Sequence, residues 1–299
     1  MDVLLTSRTA QANGRLRNKT SLAPRLRLAR PNLIYNRGHL APELGSPTGF
    51  LCQLYDQANA AGKNLVVFLH GGCSGLRQSL RRFSGIRKAL ADHNVHSTIG
   101  VSWPSNCTDY CNLVANAQRT GTMLGTTLQP FFDHIGRIPI ERRRAQVHII
   151  AHSMGGQVLE QMLATLQVTP DHADTLNQVV LGAPDITSHA FRGDGPLSKL
   201  RTLAQRIHVY SGWNDAIVGT TGVVACRWYP RYTRMGRVGV HEQHRTPPIH
   251  EVIVRRGFGL HWAFCNYPYV RRDWSQVLKG TCASEIPGRV RVNDQTYRL

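Results

Sequence analysis

Short, unbroken apolar runs alternate along this chain with segments whose apolar residues recur every three or four positions. The first run is Leu65-Val66-Val67-Phe68-Leu69. A run with no polar face predicts a strand buried on both sides of a parallel sheet. Beyond His70-Gly71-Gly72-Cys73, residues Leu76, Leu80, Phe83, Ile86 and Leu90 line one face of an expected helix. A second strand is expected at 97–102, closed by Trp103-Pro104-Ser105. Leu113, Ala117, Leu124, Leu128 and Phe131 predict a long helix, with Pro130 bending or ending its last turn. Val147 to Ile150 predicts the next strand, and Val158, Leu159, Met162, Leu163 and Leu166 the next helix. Strands at 178–181 and 206–210, a helix at 197–205, a last strand at 251–254 and a closing helix through Val270, Trp274, Val277 and Leu278 complete the pattern. Strand alternating with helix from residue 63 onward predicts an α/β fold. Its mostly parallel sheet is doubly wound, with helices on both faces. We therefore expect a single domain over 31–299.

The ends of these strands carry the candidate chemistry, because open α/β sheets gather their sites at the carboxyl ends of strands. The run Val147 to Ile150 stops at Ala151-His152-Ser153-Met154-Gly155-Gly156, and a helical pattern begins at once. Strand, tight turn and helix lift Ser153 Oγ above the sheet edge, over a helix N-terminus that favours developing negative charge. The usual spacing is G-x-S-x-G, and here Ala151 takes the first position. Only a small residue fits where strand and helix backbones nearly touch, and alanine is small. The same turn also reads as an ordinary helix start with a capping serine.

A serine nucleophile needs a base, and the base needs a partner to hold its tautomer. His241 and His244 lie in an irregular stretch, and His250 precedes the last expected strand. His261 comes just after that strand and is the expected base. Asp215 and Asp185 each follow a strand end. Asp215 gives the chain order Ser, Asp, His, whereas Asp185, after Ala183-Pro184, also reads as a turn residue. An oxyanion hole would use the N–H of Met154, after the nucleophile, and that of Gly72, with Gly71 making the turn. This chemistry requires no metal and no cofactor.

His70-Gly71-Gly72, Ser153 in A-H-S-M-G-G, Asp215 and His261 together resemble an α/β-hydrolase. Ser102-Trp103-Pro104-Ser105, Leu181 to Asp185, Tyr210 to Asp215 and Met235-Gly236-Arg237 are similar to a bacterial esterase-like branch of largely unassigned function. The resemblance covers about residues 60 to 280. It implies the α/β-hydrolase fold and a serine hydrolase cleaving a small-molecule or lipid ester; thioesters, lactones and amides would use the same parts. The alternative is a non-catalytic member of the fold, a module docking anionic partners.

Composition changes this picture at the margins. There are 36 Lys and Arg against 18 Asp and Glu, a formal net charge of +18. The arginines are scattered, as on a solvated surface. No nucleic-acid motif is present, so no nucleic-acid partner is expected, and a weak association with anionic membrane surfaces is the charge-based alternative. Residues 1–30 hold seven Arg and Lys against the single acid Asp2, which predicts a disordered basic tail; an organelle transit peptide has the same composition. There is no secretory h-region, and a cytoplasmic location is expected. The seven cysteines are expected as reduced thiols, although Cys107 and Cys111 are close enough in sequence for a local disulfide. His241-Glu242-Gln243-His244 places its histidines three apart, not the four of a metalloprotease helix, and reads as a solvated loop. The long stretch 216–250, with Trp228, Tyr229, Tyr232 and Met235, is expected to supply an acyl pocket or lid over a fairly open site.

Overall fold

The computed structural model describes residues 2–20, 26–32, 37–106, 109–226, 233–255 and 260–299. Five strands precede the first helix: β1 (Val3–Thr6), β2 (Arg8–Ala10), β3 (Leu16–Thr20), β4 (Arg27–Asn32) and β5 (Arg37–Leu40). After α1 (Pro47–Ala61) come β6 (Asn64–Leu69), α2 (Leu76–Ala89), β7 (Val95–Ser102), α3 (Tyr110–Gly136), β8 (Val147–His152), α4 (Gly155–Thr165) and β9 (Leu176–Gly182). The rest is α5 (Leu200–Leu203), β10 (Ala204–Ser211), α6 (Ala216–Cys226), α7 (Met235–Val238), β11 (Ile249–Ile253), α8 (Leu260–Asn266), α9 (Pro268–Leu278), β12 (Val290–Arg291) and β13 (Thr296–Arg298).

Eleven of the described strands join one sheet in the order β12-β13-β11-β10-β9-β8-β6-β7-β1-β4-β5, with β2 and β3 paired apart. Pairing is parallel from β13 through to β1, and antiparallel at the two flanks. Side chains alternate cleanly between two cores, as a two-sided sheet requires. Leu65, Val67 and Leu69 of β6, with Ile149 and Ala151 of β8, face a core shared with α1, α3 and α4. Val66, Phe68 and Ile150 face the other core, shared with α2, α8 and α9. The helices do cover both faces.

Local chemistry explains the element ends. Ser46 Oγ accepts the Gly49 N–H at the start of α1, and Gly62, in the left-handed region, ends it. α3 does not stop at Pro130 but runs on to Gly136. Phe131, Phe132 and Ile135 are buried beyond the proline. At roughly 1.5–3 kcal/mol each, their burial outweighs the ~3 kcal/mol that an internal proline costs.

Three expectations need correction. The described residues of the expected basic tail, 2–20 and 26–30, are not disordered: β1 lies inside the sheet, Val3 opposite Ile99 of β7 and Leu4 opposite Ala29 of β4. Val3-Leu4-Leu5 is too short to read as a strand alone, but a neighbour on each side satisfies its backbone and buries all three side chains. The helix expected at 197–205 is a 3-10 turn (Pro196–Lys199) and the single turn α5, because pairing with β9 draws Ala204 onward into β10. β11 is not the last strand, since β13 pairs beside it.

Some of the arginines are built into the structure. Arg8 is fully buried, its Nε donating to Ser102 Oγ (2.9 Å) and Nη1 to Asn18 Oδ1 (2.8 Å). Burial lowers its pKa to about 9. Arg289 donates Nη2 to Asp273 Oδ1 (2.7 Å), and Arg143 donates to the carbonyls of Gly136, Ile138 and Ala173. No described helix is long and apolar enough to cross a membrane.

Candidate active site

The turn between β8 and α4 holds Ser153 at φ 55°, a left-handed conformation that a serine adopts only when its surroundings impose it. Three backbone bonds do so. Ser153 N–H donates to Gly182 O (2.9 Å), and the N–H groups of Gly156 (2.9 Å) and Asp185 (3.1 Å) donate to Ser153 O. The neighbouring β9 end therefore clamps the serine from both sides of its peptide.

The closest approach of helix to strand falls at Gly155, where a Cβ would lie 2.3 Å from Leu69 O. Ala151, by contrast, sits inside β8 opposite Leu69 and Leu181, with its methyl in the core. The steric demand for glycine lies after the serine, and that is why alanine is accommodated before it.

The turn after β6 packs directly on this elbow. A Cβ at Gly71 would lie 2.8 Å from Ser153 Cβ, and one at Gly72 would lie 2.5 Å from Met154 Sδ. His70 sets the turn. Trp103 N–H donates to His70 Nε2 (3.3 Å), so the ring proton is on Nδ1, which donates to Gly71 O (2.9 Å). Burial, and after it the Arg8 charge, hold His70 well below the ordinary histidine range, and it stays neutral. Its ring stacks on Trp103 at 5.4 Å, and Trp103 Nε1–H donates to His70 O (2.9 Å). Because the peptide is planar and trans, fixing the Gly71 carbonyl also fixes the direction of the Gly72 N–H.

Asp215 follows β10, and His261 stands in the first turn of α8 rather than in a loop. The two meet: His261 Nδ1 is 2.9 Å from Asp215 Oδ2. Asp215 Oδ1 accepts the Val218 N–H (3.0 Å), which anchors the carboxylate at the start of α6. His152, the residue before the serine, reaches the same group from below. Its Nε2 donates to His261 O (2.9 Å), and the two rings lie 5.1 Å apart. Burial and the nearby His261 hold His152 well below the ordinary range, so it is a neutral donor. Ser153, Asp215 and His261 retain 6%, 2% and 4% of their surface. Trp213 and Ile217, on either side of Asp215, are 66% and 43% exposed.

Asp185 does not contact His261 through a hydrogen bond. Its carboxylate accepts Tyr110 OH at Oδ2 (3.2 Å) and Thr221 Oγ1–H at Oδ1 (2.9 Å), and pairs with Arg234 Nε at 3.3 Å. Gln157 Nε2 holds its backbone carbonyl (2.9 Å). Burial raises the Asp185 carboxyl above the ordinary range, and Arg234 opposes that shift.

Sequence reasoning missed His152, Tyr110 and Arg234. For His152 a signal existed: a second imidazole beside the serine in a strand end buried on both faces. Trp228, Tyr229 and Tyr232 of the expected lid lie outside the described residues, and Met235 is a buried core residue. Cys107 also lies outside them, while Cys111 is an exposed free thiol.

A parallel sheet with a strained serine turn at one strand end, and an Asp–His pair at two others, is the arrangement of an α/β hydrolase. Residues 53–256 match the family described as alpha/beta hydrolase of unknown function (DUF900), and the chain belongs to that family. No curated protein matches it. Among solved structures it is similar to a lipase-esterase related protein from Clostridium acetobutylicum ATCC 824. That likeness is at 11% identity and TM-score 0.35, covering 73% of this chain and 94% of that one. A Trichoderma reesei cutinase in complex with a phosphonate inhibitor is similar at 16% identity and TM-score 0.26, over 53% and 73% of the respective chains.

Proposed function

We propose that this protein is a serine hydrolase that cleaves carboxylic esters through an acyl-enzyme. The observation that carries the reading is the buried contact between His261 Nδ1 and Asp215 Oδ2, tied through the His261 carbonyl to His152, the residue preceding Ser153. With Nδ1 held by the carboxylate, His261 presents Nε2 as the base. It takes the Ser153 proton as Oγ attacks the ester carbonyl. The N–H groups of Met154 and Gly72 then hold the tetrahedral oxyanion. Collapse breaks the bond to the leaving alkoxide, which departs with the proton from His261. Water, deprotonated by the same imidazole, attacks the acyl-enzyme and releases the acid and the free serine. The exposed Trp213 and Ile217 beside Asp215 favour an ester with an apolar acyl group.

A fluorophosphonate probe tests the reading. Wild type is expected to label at one residue and Ser153→Ala not at all; equal labelling of both, or of neither, removes the nucleophile. An ester panel of graded acyl length then reads the substrate class.

A further inference from the structure

Outside the site, His189, His241 and His244 converge on one point. Each offers a ring nitrogen, and these three atoms lie within 4.8 Å of one another. Backbone pairing brings them together. Thr187 bridges Arg234, Ser188 N–H donates to Thr233 O (2.8 Å), and His241 N–H donates to Ser188 O (3.0 Å). His241 caps the 3-10 turn Glu242–His244, which turns His244 back toward it. The rings of His189 and His241 lie 4.1 Å apart, and His244 is 5.6 Å from each. His241 Nδ1 is buried and has no hydrogen-bond partner. The spacing of His241 and His244, one short of a metalloprotease pair, concealed this because the third member, His189, is 52 residues before His241 in sequence.

We propose that these three histidines form a binding site for a divalent transition ion of the zinc class. Tetrahedral zinc with nitrogen at 2.0–2.1 Å needs donors about 3.3 Å apart, which small ring rotations from the present positions supply. Three imidazoles without a carboxylate favour zinc, cobalt, nickel or copper over calcium and magnesium, which take oxygen ligands. The guanidinium groups nearby are engaged elsewhere: Arg192 with Asp194, Arg245 with Glu251, and Arg201 with the carbonyls of His244 and Pro247. Three protein ligands leave the fourth position to water. The ion clamps the segment that follows Asp185 to the segment that carries Arg234, so its effect is on the stability of that support.

The test uses the full chain with the exposed thiols Cys73, Cys111 and Cys282 alkylated, so that they supply no ligand. Calorimetric titration with Zn2+ is expected to give one ion per chain and a higher Tm. His189→Gln, His241→Ala and His244→Ala each should weaken binding by more than the 10–100-fold that loss of an outer partner costs a metal site. His134→Ala, on another surface, should leave it unchanged. The Co2+ absorption spectrum of wild type gives a readout independent of any variant: a nitrogen ligand field is expected. Absence of stoichiometric uptake, uptake that survives all three substitutions, or a thiolate-to-cobalt charge-transfer band overturns the proposal.

Discussion

Asp215 and Asp185 are two aspartates that follow adjacent strands of one sheet, both buried, and they are put to opposite uses. Asp215 spends one oxygen on the Val218 N–H and the other on an imidazole, and among the described residues it pairs with no lysine or arginine. Asp185 is surrounded by a guanidinium and two hydroxyls that consume both oxygens. Its backbone N–H and C=O are tied to Ser153 and Gln157. A strand end can thus supply either a carboxylate that holds an imidazole or one whose oxygens are used to hold the turn. The partners decide which, and position in the chain does not.

Substitutions can break or sharpen that contrast. The largest effect is expected from Asp215→Asn. The Val218 N–H keeps an acceptor, so stability should change by less than about 1 kcal/mol, whereas ester turnover should fall about 10^4-fold, as when the equivalent carboxylate is lost from a serine triad. Turnover assays beside urea denaturation check both halves, and an unchanged rate would erase the distinction. Asp185→Asn should act the other way round. It leaves the Arg234 charge without its partner and costs about 3 kcal/mol, the low end for a broken buried pair, since Arg234 is partly exposed. Adding Arg234→Met should recover part of that loss, and a double-mutant cycle in urea measures the coupling. A large loss of turnover per folded molecule in Asp185→Asn would reassign the acid.

A third comparison uses a buried group given no partner at all. His148, inside β8, has no hydrogen bond at either ring nitrogen, and burial lowers its pKa to about 3. From about pH 6.5 downward the unfolded chain takes a proton that the native state refuses until about pH 3. Its contribution to stability is therefore full above pH 6.5 and is lost as the pH falls, by about 1.4 kcal/mol per pH unit. His148→Leu should reduce the acid sensitivity by that amount, read from urea midpoints at pH 8 and pH 5.5. The smallest effect belongs to Tyr110→Phe, which removes one hydroxyl shared by Asp185, Gln157 and Arg234. A loss of about 1 kcal/mol is expected; no loss would mean that Arg234 and Thr221 suffice to hold Asp185.

The interior strands were legible because burial on both faces writes itself as a continuous apolar run. The expected strand 178–181 sits within Leu176–Gly182, and 147–150 within Val147–His152. The flanking strands were not legible. β1 has four residues and β4 carries Arg27, Arg30 and Pro31, so each depends on neighbours that no local pattern encodes. The same divide runs through the candidate sites. Counting strand ends from residues 63 to 261 singled out Ser153, Asp215 and His261 as candidates, and the structure joins the last two by a hydrogen bond. His152 had a local signal, an imidazole next to the serine, whereas the contacts of Tyr110, Arg234 and His189 arise only across the fold.

The placement of β1 has a practical consequence. Trimming the basic first thirty residues, as one would a solvated tail, takes away the strand that pairs with β7 and the strand next to it. β7 would then end the sheet, with Ile99–Ser102 newly unpaired and open to pairing with a second chain. The existing border is better defended: β5 ends the sheet with exposed Arg37 and His39, and β4 beneath it carries Pro31. A shortened chain would be expected to self-associate before it lost any residue of the candidate site, and a study of truncations would record as lost activity what is in fact lost solubility.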